Sequence, residues 1–237
     1  MKLTAPIYHL KRKAKALSRE RSIPLNAALD HIARAEGCES WSLLAARHAT
    51  TSPARALYEQ LEQGDLLLIG ARPGLGKTLM ALELAIEAMK ADRPAFFFTL
   101  EYTEAQIADR FKRLGTEPAL YRDLFASDCS DGINADHIIS ALDAAHPGTL
   151  VVVDYLQLLD QRRSTPPLNQ QVSALRAFAE TKGLIIVFVS QISRTYDPKT
   201  KQFPTLEDIR LPNPMDLTLF KRTCFLNESG VRFQASS

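Results

Sequence analysis

Leu66-Leu67-Leu68-Ile69-Gly70-Ala71-Arg72-Pro73-Gly74-Leu75-Gly76-Lys77-Thr78 carries an apolar run straight into a glycine-rich turn that ends in Lys-Thr. Four large aliphatic residues bounded by Gly64-Asp65 and by glycines read as a strand buried on both faces. Lys77 to Ala91 then reads as a helix. Strand, turn and helix in this order fit the phosphate-loop pattern GxxxxGK[ST], except that the first glycine stands at 70 where the pattern puts Ala71. Gly74 and Gly76 let backbone N–H groups turn toward phosphate oxygens, and the adjoining helix offers its positive end to the same anion. Lys77 supplies a point charge for the β- and γ-phosphates, and Thr78 a hydroxyl for Mg²⁺. Residues Gly70 to Thr78 are therefore the candidate nucleotide-binding residues.

A short helix is expected before this strand (Ala54 to Leu61), and three more apolar strands after it: Ala95 to Leu100, Leu150 to Val153 and Leu184 to Val189. Helical sequence separates them, at Glu104 to Leu114, Ala135 to Ala145 and Leu168 to Thr181. Strands apolar on both faces that alternate with helices predict an α/β domain whose mainly parallel central sheet is covered on both sides.

Ligands of such open sheets bind at the carboxyl ends of the strands, so polar residues there are the next candidates. Asp154 ends the strand Val151-Val152-Val153 and is placed to hold the shell of a Mg²⁺ ion, although an acid in that position can also simply cap the next turn. Glu101 comes directly after Ala95 to Leu100 and could take a proton from an attacking water. Gln191 comes after Val189-Ser190, where its amide could bond a γ-phosphate and respond to its loss.

The series ARPGLGKT (71–78), FTLEYT (98–103), VVVDYLQLL (151–159), VSQISR (189–194) and LEDIR (206–210) resembles, in order and approximate spacing, the five motifs of the DnaB-type replicative helicase motor domain. The resemblance covers roughly residues 60–225, in a short form with one motor domain. It implies a RecA-like ATPase fold with the Gln191 strand between those of Lys77 and Asp154. It also implies ATP and Mg²⁺ as ligands, Glu101 as catalytic base, and a homo-oligomeric ring, a hexamer being one form, with nucleotide at the subunit interfaces. Loops at Gln161–Asn169 and Arg194–Pro204 would then touch single-stranded DNA through Arg162, Arg163, Arg194, Lys199 and Lys201, cations suited to phosphate contact. The sequence departs from the family after LEDIR, where LPNPMDLTLF replaces an SG-containing turn. Lys221, Arg222 and Arg232 are the basic residues near the last expected strand (223–226), and none matches the family's basic residue that reaches into a neighbour's site. A DNA-dependent ATPase is the first reading, and a nucleotide-gated switch that changes protein partners is the alternative.

Composition bounds the remainder. The 237 residues, 46% hydrophobic and 24% charged, suit one α/β domain with a small appendage. Cys38, Cys129 and Cys224 are widely spaced with no CxxC pair, which fits a reduced, cytoplasmic setting, and no apolar run reaches membrane-spanning length. Net charge is +2, yet residues 1–50 hold nine Lys/Arg against four Asp/Glu, a local +5 that leaves −3 for the rest. Residues 1–50 are read as a small basic helical module, 51–64 as a linker (HATTSP, 48–53, at its start) with a short helix, and 65–237 as the ATPase domain. In the module Ile7, Leu10, Ala14 and Leu17 mark one helix face, and Pro24 opens a second helix with Leu25, Ala28, Leu29 and Ile32 inward. Gly37 suits its stop, and Ser40 is placed to cap a third helix. The cluster Lys11, Arg12, Lys13, Lys15, Arg19 and Arg21 is suited either to phosphate backbones or to a solvated helix face, and the module is also a candidate protein-binding element.

Overall fold

The structure is a computed structural model, and it describes residues 3–5, 7–45, 52–160, 165–198, 200–211, 213–228 and 230–235. The chain forms two compact units, residues 1–56 and 57–237. No helix among the described residues is long and apolar enough to cross a membrane.

In the first unit, α1 (Ile7–Glu20) packs against α2 (Leu25–Ala35). Leu10 and Ala14 of α1 and Ala28 and Ala33 of α2 are fully buried, as the helical spacing requires. Leu25 is an exception: it is 42% exposed, because the first turn after Pro24 runs ahead of the packed part of the helix. Gly37 adopts φ +80°, the left-handed conformation that stops α2, and the Ser40 hydroxyl accepts from the Leu43 N–H at 3.3 Å to start the helical residues 41–45. Residues 46–51, which include the first four residues of the HATTSP stretch (48–53), lie outside the described residues.

After α3 (Pro53–Tyr58), the second unit is built on β1 (Leu66–Ala71), α4 (Lys77–Lys90), β2 (Ala95–Thr99), α5 (Glu104–Arg113), β3 (Phe125–Asp128), α6 (Ala135–Ala141), β4 (Leu150–Asp154), α7 (Leu168–Lys182), β5 (Ile185–Gln191), β6 (Arg222–Asn227) and β7 (Gly230–Ala235). The sheet order is β3-β2-β4-β5-β1-β6-β7, parallel throughout except for the β6–β7 hairpin. The Gln191 strand does lie between β1 and β4, as the resemblance implies.

Alternation along each central strand divides the core. Leu66, Leu68, Val151, Val153, Ile186 and Phe188 join one apolar cluster with Ile138 and Leu142 near α6 and with Val172 and Leu175 of α7. Their neighbours Leu67, Ile69, Val152 and Val187 are also fully buried, so they face the opposite side, where α4 packs on β1, β2, β4 and β5. Two strands depart from the sequence expectation. β3 is a four-residue edge strand and β7 the outer hairpin strand; neither is apolar on both faces, which is the property that reveals the others. Helix α6 also ends at Ala141, short of the expected Ala145.

Candidate nucleotide site

Sheet register brings the strand-end residues together. Ala71 pairs with Gln191, Thr99 with Asp154, and Asp154 with Val189, so β1, β2, β4 and β5 finish along one edge of the sheet. The glycine loop between β1 and α4 closes over that edge. Gly74 and Gly76 hold φ +81° and +86°, and a Cβ at either would meet no protein atom within 4 Å, so within the protein itself it is the backbone conformation that requires glycine there. Gly76 caps α4 with no side-chain partner and no acid in the first turn, which leaves the helix's positive end uncompensated. Pro73 and Gly74 are exposed, Leu75 is half-buried, and Lys77 and Thr78 are buried in the first turn of α4.

Gly70 has a different requirement. A Cβ there would stand 2.8 Å from the Phe225 ring and 3.0 Å from Ile209, so packing of β1 against Phe225 of β6 and against Ile209 already requires glycine. Ala71 is fully buried in the strand and paired with Gln191. Arg72 points across the sheet end. Its guanidinium donates to the Tyr196 carbonyl at 2.6 Å, reaches the Arg194 carbonyl at 3.5 Å, and lies 5.6 Å from the Tyr196 ring centre. The same Arg72 that begins the phosphate loop thereby pins the loop beyond β5.

Asp154 is fully buried, and neither carboxylate oxygen has a hydrogen-bond partner among the described residues. Burial is the main cause that pushes its pKa up to about 6. Thr78 beside it favours the charged form, Glu101 opposes that form, and Lys77 and Arg110 favour it. Thr78, Lys77, Glu101 and Arg110 therefore share one electrostatic neighbourhood with the carboxylate. A buried anion left without donors is costly, and a hard cation would supply what is missing. The donor set of one carboxylate and one hydroxyl fits Mg²⁺, which keeps most of its shell for phosphate oxygens and water, and no cluster of three or more metal-ligating side chains occurs among the described residues.

Glu101 is exposed at the mouth of the site, and its backbone N–H donates to the buried Thr99 hydroxyl at 3.0 Å. Immediately after it, Thr103 and Gln106 form a reciprocal capping box that starts α5. Arg110 from that helix stacks 3.8 Å from the centre of the Tyr102 ring. Arg110 is not among the sequence candidates, since nothing in its spacing connects it with Asp154, far along the chain.

Past the end of β5, the chain folds back on itself. Ile192 and Ile209 form an antiparallel bridge, the Arg210 N–H donates to the Gln191 carbonyl at 2.8 Å, and the Arg210 guanidinium reaches the Gln191 side chain at 3.5 Å. Gln157, in the turn after Asp154, donates to the Ser190 hydroxyl at 3.0 Å and to the Arg210 carbonyl. Gln191 is thus coupled by side chain and backbone to the LEDIR segment. Of the expected DNA-contact residues, Arg194 is exposed, while Arg162, Arg163 and Lys199 lie outside the described residues. Lys201 is engaged by the segment that follows the loop: its ammonium bonds Asp208 and Thr205, each at 2.7 Å. The three basic residues near the C-terminal strands are likewise occupied, Lys221 with Glu180, Arg222 with Asp65, and Arg232 over the Phe203 ring.

The DnaB-like helicase C terminal domain family matches residues 55–117 and 123–213, well over half of the chain. Among curated proteins, the replicative DNA helicase DnaB of Leifsonia xyli is 26% identical over 185 residues, covering 65% of this chain and 40% of that protein. A probable plasmid replicative DNA helicase of Chlamydia trachomatis is 25% identical over 180 residues, with 63% and 40% covered. The chain therefore spans about two fifths of the length of these relatives. Among solved structures, a DnaB-like replicative helicase, described together with its interactions with primase, superposes with a TM-score of 0.60 at 18% identity, covering 92% of this chain and 65% of that one. A KaiC-like protein of Pyrococcus horikoshii gives 0.52 at 15%, covering 70% and 74%. The parallel sheet, the glycine loop at its carboxyl edge and the extent of the family match agree, and the chain belongs to the DnaB-like helicase C-terminal domain family, with a RecA-like α/β fold.

Proposed function

We propose that the chain binds Mg²⁺-ATP at the edge formed by β1, β2, β4 and β5, and hydrolyses it in a reaction that single-stranded DNA stimulates. The observation that carries this reading is the fully buried Asp154 carboxylate beside the phosphate loop, whose oxygens meet no full hydrogen-bond geometry among the described residues. In this reading the loop amides, Lys77 and the start of α4 hold the phosphates, and Thr78 and Asp154 hold the cation. The bound cation supplies charge neutralisation at the phosphates during transfer. Glu101, held by the Thr99 hydroxyl, orients the attacking water and takes its proton. Gln191 senses the γ-phosphate and passes its loss to Arg210 and the loop bearing Arg194, where DNA is met. Assembly into a ring with nucleotide between subunits is part of the same proposal. It draws on the family and on the helicases the chain resembles.

The test separates binding from chemistry. Lys77→Ala should abolish tight nucleotide binding. Glu101→Gln should keep nucleotide bound while slowing single-turnover hydrolysis by about 10²–10⁴-fold, the usual contribution of a general base. Wild-type hydrolysis by Glu101→Gln would remove Glu101 from the role.

A further inference from the structure

Helix α1 has two unlike sides. Leu10 and Ala14 are buried in the first unit's own core. On the opposite side Arg12, Lys15 and Arg19 recur at i, i+3 and i+7, which aligns them along one stripe, with Lys11 and Lys13 flanking it and Arg21 just past the helix end. All but the half-buried Lys11 are exposed, and Glu20 is the one acid in the segment.

Among the described residues these cations are uncompensated. None of the six makes an ion pair with a described residue, whereas in the second unit Arg113 pairs with Asp109, Arg176 with Glu180, Lys201 with Asp208 and Arg222 with Asp65. Like charges at Lys11–Lys15 and Lys15–Arg19 are i,i+4 pairs, which weaken a helix, and no acid in the first turn offsets them. A stripe held at that cost has a polyanion as its natural counterpart. From Arg12 to Arg19 the helix rises about 10 Å, the axial length of about three phosphates on one strand of a duplex. A lipid surface suits it less, because an interfacial helix needs an exposed apolar side. Among the described residues the exposed large hydrophobics are Leu25 and Leu120, neither of them on α1.

We propose that α1 is a nucleic-acid docking surface, made of none of the nucleotide-site residues, that grips the phosphodiester backbone without reading sequence and without needing nucleotide. The test is fluorescence anisotropy of the full chain, free of nucleotide, against a labelled duplex and a labelled single strand of mixed sequence over a range of salt. Affinity for at least one strand form should fall with salt at a log–log slope of about −3 to −5, close to −0.9 for each phosphate neutralised. The triple variant Arg12→Ala, Lys15→Ala, Arg19→Ala should make that slope shallower by about 3 and weaken binding at least about tenfold, uniformly across sequences. The variant Arg12→Lys, Arg19→Lys, which keeps the charge, should retain both slope and affinity, and circular dichroism should give the same helix content for all three proteins. The strand form whose binding depends on the stripe is the natural ligand. An unchanged slope in the triple variant would overturn the proposal. So would affinity for phosphatidylserine vesicles that drops in the triple variant while affinity for both nucleic acids does not.

Discussion

Replacing Asp154 by Asn should stabilise the nucleotide-free protein while disabling it. The buried carboxylate titrates at about 6, against 3.8 for an ordinary aspartate. Between those values the folded chain keeps a proton that the unfolded chain releases, so its contribution to stability falls as pH rises through that window and stays low above it. The difference corresponds to about 3 kcal/mol, an upper bound because the Asn amide also lacks partners in the site. Urea denaturation without nucleotide or divalent cation at pH 7.5 should therefore place the Asp154→Asn midpoint above wild type, by up to about 1 M for a slope of about 3 kcal/mol/M. At about pH 4 the two midpoints should converge. Glu83 in α4, raised to about 7 by burial and by Glu87, shifts both proteins in the same direction, so the difference between them isolates Asp154. Mg²⁺-ATP should raise the wild-type midpoint and leave the variant nearly unmoved. A pH-independent difference, or a variant less stable than wild type at pH 7.5, would show that the site stores no uncompensated charge.

Gly70→Ala should cost about 1–3 kcal/mol in thermal or urea unfolding, since its Cβ would overlap the fully buried Phe225 ring, yet leave nucleotide affinity of the folded protein near wild type. A loss of affinity with unchanged stability would return Gly70 to the phosphate contacts. Arg72→Ala removes a charged hydrogen bond to the Tyr196 carbonyl, worth about 1.5–3 kcal/mol, so trypsin cleavage after Arg194 should accelerate about tenfold or more; an unchanged cleavage rate would mean that Arg72 does not hold that loop.

The central strands are legible in the sequence because burial on both faces leaves a continuous apolar signal, as in Leu66–Ile69 and Val151–Val153. β3 (FASD) and β7 (GVRFQA) carry no such signal, since each lies at an edge of the sheet and is largely half-exposed. The strand-end candidates Asp154 and Gln191 come from the rule that open sheets bind ligands at their carboxyl edge, and the register aligns that edge. Contacts between distant residues are not legible. Arg72 meets Tyr196 across 124 positions, and Gln157 meets Arg210 across 53, so only the folded sheet discloses that the phosphate loop, the turn after Asp154 and the LEDIR segment converge on the end of β5. Lys201 reads as a free cation in the sequence because its partner Asp208 ends the short helical turn Leu206–Asp208 beyond the loop, where no periodicity predicts pairing.

Steady-state ATP hydrolysis by the full chain with and without single-stranded DNA, with Lys77→Ala as the blank, tests the proposed motor at its centre. Mg²⁺-dependent turnover above the blank, rising several-fold on adding DNA, is the expected result. Turnover at the blank level would contradict ATP hydrolysis at this site, and turnover indifferent to DNA would contradict the DNA-stimulated motor and favour a nucleotide-gated switch acting on a protein partner.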